Sequence, residues 1–78
     1  MTRFKNIPLG KIRNYLVSRG LKRIRTTGGH EIWGGEGLQR PIVLQSHIDP
    51  IPEFIVRQIL RSLDETDDDL KQFLNRSS

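Results

Sequence analysis

Six glycines between residues 20 and 37 constrain this chain more than any other feature (Gly20, Gly28, Gly29, Gly34, Gly35 and Gly37). Gly20 stands where a helix C-terminus calls for a left-handed residue. Thr26–Gly29 forms a turn, and Gly34-Gly35-Glu36-Gly37 is a strong hairpin signal. Between these stops, Leu21–Arg25 alternates imperfectly between apolar and basic residues, so Lys22 or Arg23 faces solvent while Leu21 or Ile24 turns inward. His30–Trp33 reads as a second strand and Leu38–Leu44 as a third. Connections this short join antiparallel neighbours, so a three-stranded antiparallel sheet is expected. Pro41 inside the third run argues for an edge position or a late strand start.

Helical patterns flank the sheet. Leu9, Ile12 and Leu16 follow Pro8 at i, i+3 and i+7, with Tyr15 beside them, and predict a helix over about 9–19. Lys11, Arg13 and Arg19 project mostly from its other faces. Gln45–Pro52 is a loop. Pro52 then opens a helix over 53–63, with Phe54, Ile55, Val56, Ile59, Leu60 and Leu63 as a broad apolar face. Residues 64–69 break this pattern. Asp67 is the expected cap of a short last helix over 68–75, and the Asp67–Asp69 run complements its dipole. A metal cluster there is disfavoured, because consecutive aspartates at a helix start point in different directions. Arg76-Ser77-Ser78 should fray. The expected fold is α+β, in the order α-β-β-β-α with an added C-terminal helix. Residues 1–78 read as a single domain.

A 78-residue chain without cysteine has a small core and no disulfide or zinc-thiolate site to supplement it. No apolar run approaches the ~20 residues of a membrane span. Met1–Asn6 leads into no export signal, so a cytoplasmic protein is expected. The charge is lopsided. Residues 1–40 carry nine Lys/Arg against two acids, a net of +7; residues 41–78 carry four against seven, a net of −3. A basic front half suits a polyanion, and equally a solvated surface.

The candidate chemistry centres on Arg25–Trp33. His30 follows the Gly28–Gly29 turn, where glycines permit close approach of a phosphate. Imidazole can take and give a proton near neutrality, and Arg25 supplies a planar cation suited to phosphate. Whether these two share a side of the sheet depends on the turn between them. His47 reads either as a second proton donor or as a polar loop residue next to Asp49. Lys22, Arg23, Arg13 and Lys11 are candidates to track a nucleic-acid backbone, or are simply solvated. On a strand, His30 and Ile32 share one face and Glu31 and Trp33 the other, so Trp33 is expected in the core, as is Tyr15.

Gly20-Leu21 after the first helix, Arg25-x-x-Gly28-Gly29-His30 leading into a strand, His47 after the third strand, and Ile59-Leu60 in the next helix resemble HicA toxins. These are the small ribonuclease halves of HicA–HicB toxin–antitoxin pairs, and the resemblance covers roughly residues 7–63. It implies a double-stranded-RNA-binding-like fold with two helices on one face of a three-stranded sheet. It also implies cleavage of messenger RNA without metal or cofactor, with His30 as the catalytic residue, and a HicB-type antitoxin that covers it. Two positions depart from the pattern: Gly29 stands where serine is usual, and Pro52 stands near a usual glycine. Neither removes the histidine. With RNA as substrate, the 2′-hydroxyl attacks its own phosphodiester once a base removes its proton. Arg25 and the Gly28–Gly29 turn stabilise the phosphate, and Lys22 and Arg23 help bind it. A non-catalytic RNA-binding module and a protein-docking domain of the same fold are the alternatives.

Overall fold

A computed structural model describes residues 4–76. The elements are α1 (Leu9–Ser18), β1 (Lys22–Thr27), β2 (His30–Gly34), β3 (Ile42–Gln45), α2 (Glu53–Leu63) and α3 (Asp67–Arg76). The fold is therefore α+β, with three helices and one antiparallel sheet in the order β1-β2-β3. Arg76, expected to fray, is the last residue of α3; Ser77 and Ser78, like Met1–Arg3, lie outside the described residues.

Two Ile-Pro steps start the first two helices. Ile7 and Ile51 form an antiparallel bridge, in which the Ile51 N–H donates to the Ile7 carbonyl oxygen at 2.9 Å. Pro8 and Pro52 then stand as the N-caps of α1 and α2. A proline has a preset φ and no N–H to satisfy, so it suits a helix start. The Leu9 N–H, next in line, donates to Asp49 Oδ1 at 3.0 Å. Helix α1 stops as expected, with Gly20 at φ +84° and the Leu21 N–H returning to the Leu16 carbonyl oxygen.

One hydrophobic core joins the three helices with β2 and β3, while β1 is exposed along its length. Ile12, Tyr15 and Leu16 from α1, Trp33, Ile42 and Leu44 from the sheet, Val56, Ile59 and Leu60 from α2, and Leu70 from α3 are buried together. Trp33 and Tyr15 are in the core, as strand parity and helical spacing predict. Burial pushes the Tyr15 phenol up from its ordinary pKa, and its O–H donates to Glu65 Oε1 at 2.6 Å. Among the described residues, no helix is long and apolar enough to cross a membrane.

Four local expectations are corrected. Strand β3 starts at Ile42, not Leu38: Pro41 has no N–H for the ladder, so pairing begins one residue after it, on an edge strand. Strand β1 runs from Lys22 to Thr27, and of its two inward candidates only Leu21, just before it, is buried. Ile24 is 64% exposed at an irregularity between Arg23 and Arg25. Phe54 is 65% exposed, because it lies two residues before buried Val56, about 200° away around the helix. Thr66, not Asp67, caps α3: its hydroxyl accepts the Asp69 N–H while Asp69 Oδ2 accepts the Thr66 N–H at 2.8 Å. Asp67 instead accepts two hydrogen bonds from Arg57 Nη1.

Candidate functional site

The hairpin between β1 and β2 decides where the site's side chains stand. Gly28 and Gly29 have φ of +53° and +98°, and a two-residue type I′ turn requires positive φ at both positions. Any L side chain would be strained at position 29. The register then pairs Thr27 with His30, Arg25 with Ile32, Arg23 with Trp33, and Lys22 with Gly34. Two residues of β1 advance against one of β2 between Arg23 and Arg25, so this is a bulge with Ile24 as the extra residue.

That bulge separates the basic residues. Paired residues share a face of the sheet. Arg25 therefore shares the outer face with His30 and Ile32, as does Lys22 at the far end, while Arg23 goes with Trp33 to the inner face. Had the ladder been regular, Arg23 and Arg25 would have stood together. Across β2, His30 pairs with Gln45 and Ile32 with Val43. Ile24 reaches over Gly34: a Cβ at residue 34 would lie 2.5 Å from Ile24 Cδ1, so this glycine makes room for it. The outer face thus presents a stripe of Ile24, Ile32 and Val43, with Lys22, Arg25 and His30 around it. No acid stands among its paired residues.

Directly behind this face lies a cluster that sequence reasoning missed. Glu31 is 1% exposed yet charged. Arg13 Nε donates to both of its carboxylate oxygens at 3.1 Å, Arg13 Nη2 adds a second contact to Oε2, and Trp33 Nε1 donates to Oε1 at 3.1 Å. Arg23 Nη1 stands 3.8 Å away. The hydrogen bonds from Arg13 hold the Glu31 carboxyl below its ordinary pKa against the opposing effect of burial; Trp33 and the charges of Arg13 and Arg23 add to this. Arg13 and Arg23, both candidates for a nucleic-acid track, are thus directed at Glu31. Arg19 likewise pairs with Glu65 and lies over the Tyr15 ring, 4.7 Å from its centroid. The signal for Glu31 was present in the sequence: an acid two residues from a core tryptophan on one strand face needs a buried cation.

The second histidine lies beside the glycine turn. Ser46 donates its backbone N–H at 2.8 Å and its hydroxyl at 2.9 Å to the Gly29 carbonyl oxygen. A Cβ at Gly29 would then meet His47 Nδ1 at 3.5 Å. Next to His30, a groove of about 320 Å³ runs between the free edge of β3 and α2, lined among others by Val43, Gln45, Ile48, Phe54 and Ile55. Among the described residues, no three His, Cys, Asp or Glu side chains come together as a metal site would require.

Compared with family models, with characterised proteins and with solved structures, the chain gives no match in any of the three. Function is therefore argued from the site itself.

Proposed function

We propose that this protein is a metal-independent endoribonuclease that cleaves messenger RNA, the toxin of a type II toxin–antitoxin pair. The observation that carries this reading is the shared face of His30 and Arg25, set by the two-residue glycine turn. His30 removes the 2′-hydroxyl proton as general base. Arg25 and the N–H groups of the Gly28–Gly29 turn stabilise charge developing on the phosphate. Lys22 contacts the RNA backbone further along. The apolar stripe of Ile24, Ile32 and Val43 suits the faces of unpaired bases. No step calls for a metal, because the RNA supplies its own nucleophile. Arg23, which sequence reasoning grouped with Lys22, serves the Glu31 cluster on the other face instead.

The helix–three strands–helix order supports the double-stranded-RNA-binding-like fold that the HicA resemblance implies. The same resemblance implies a cytoplasmic toxin and a HicB-type antitoxin over His30. The apolar groove beside that histidine, with exposed Phe54 on its rim, is where such a partner would anchor.

The test is tight induction of the wild-type chain and of His30→Ala, with total RNA followed over time. Messenger RNA loss and growth arrest should appear with the wild type only. In vitro, cleavage by the variant should fall by about 10²–10⁴-fold while RNA binding persists. Equal arrest by both chains, or RNA untouched by either, would leave a non-catalytic RNA-binding module or a docking domain instead.

A further inference from the structure

His47 has no part in the scheme above, yet the fold holds it at the reacting corner. The two hydrogen bonds from Ser46 to the Gly29 carbonyl oxygen clamp the turn after β3 onto the turn before β2. With Nδ1 3.5 Å from the Cβ position of residue 29, His47 lies within about 9 Å of the His30 Cα, since consecutive Cα atoms are about 3.8 Å apart. Both imidazoles are exposed. Asp49, the neighbour that a merely polar loop histidine would face, is directed elsewhere: its Oδ1 accepts the Leu9 N–H.

Cleavage of a phosphodiester by its own 2′-hydroxyl needs two proton transfers at opposite ends of the reaction. The entering O2′ and leaving O5′ lie roughly in line across phosphorus. One imidazole therefore cannot serve both at once. We propose that His47, as the imidazolium, is the general acid that protonates the 5′-oxygen. His30 takes the proton from the 2′-hydroxyl, and the O2′–P bond forms. The P–O5′ bond breaks with its electron pair going to O5′, which receives the His47 proton. The products are a 2′,3′-cyclic phosphate and a 5′-hydroxyl. The assignment rests on the ribonuclease reading.

The test compares two oligoribonucleotides containing the bond that the wild-type chain cuts most readily. One has the natural 5′-oxygen at that bond and the other a bridging sulfur. A thiolate leaves without a proton, so the sulfur substrate has no need of a general acid. His47→Gln should slow cleavage of the natural RNA by about 10²–10⁴-fold. The same variant should stay within about fivefold of wild type on the sulfur substrate, because a thiol ionises near pKa 8.5. His30→Gln should slow both. If His47→Gln slows both substrates equally, or neither, His47 is not the acid, whereas wild-type cleavage leaves the ribonuclease reading standing. If the wild-type chain cuts neither, that reading fails and the His47 assignment falls with it.

Discussion

Strand β2 carries two opposite designs on alternate residues. Its inner face, Glu31 and Trp33, is closed: the acid has Arg13, Trp33 and Arg23 around it, and the indole N–H has the acid. Its outer face, His30 and Ile32, is open, with Lys22, Arg25 and Ile24 on β1 and Val43 and Gln45 on β3 beside it. The inner charge is balanced within the fold. The outer face gathers cations without an acid among its paired residues, an arrangement that favours an external anion over internal stability. The proposed catalytic and binding groups can therefore be changed on one side of the strand with little effect on the fold, whereas the other side carries stability.

The sharpest break of this comparison uses neighbouring residues of β3. Leu44 is fully buried and Val43 is 47% exposed. Leu44→Ala should cost about 2–5 kcal/mol. Val43→Ala should stay within about 0.5 kcal/mol, as a surface change does. Urea unfolding of the two variants reads the difference directly; similar losses would mean that the outer face is also part of the core.

Next in size is the inner charge. Arg13→Met leaves Glu31 buried without its principal partner. The loss should be about 2–3 kcal/mol, below the range for fully enclosed pairs because a third of the Arg13 side chain remains in solvent. The pH dependence has a fixed sign. Folded Glu31 binds its proton more weakly than the unfolded chain does, so its contribution is complete above the ordinary value of 4.5 and is lost as pH falls through its depressed folded value. Glu31→Gln should flatten that acid limb of the stability curve. An unchanged limb would place the acid sensitivity elsewhere.

The smallest effects belong to the outer cations. Lys22→Ala and Arg25→Ala, each made in the His30→Ala background, should leave the unfolding midpoint unchanged. Each should weaken binding of single-stranded RNA and lower the slope of log affinity against log salt by about 0.7. Arg23→Ala should instead leave the salt slope nearly unaltered, because Arg23 belongs to the other face. A slope that falls equally for all three would overturn the separation made by the bulge.

Much of the architecture was legible because it is local. Pro8 and Pro52 before helical apolar patterns, Gly20 after one, and Gly28-Gly29 between strands each encode their geometry within a few residues, and α1, α2 and the hairpin form there. The parity of β2 was equally local, so Trp33 could be assigned to the core and His30 to the other face. Pro41 signalled either an edge or a late start for β3; both occur.

Tertiary structure alone decided the rest. The separation of Arg23 from Arg25 depends on one bulged residue, Ile24, and a bulge reverses the parity of every residue beyond it without a pattern in the sequence to announce it. Arg13 reaches Glu31 across 18 residues, and His47 reaches the Gly28–Gly29 turn across 18 residues from Gly29 through the Ser46 clamp, itself a span of 17. Phe54 belongs to the broad apolar face predicted for α2, yet it stands about 200° around the helix from buried Val56 and is left outside the core. The sequence by itself determined which segments are helix and strand, since those preferences are summed over neighbouring residues. Which charges are paired and which stay open depended on distant segments meeting, because an ion pair is chosen by proximity in space.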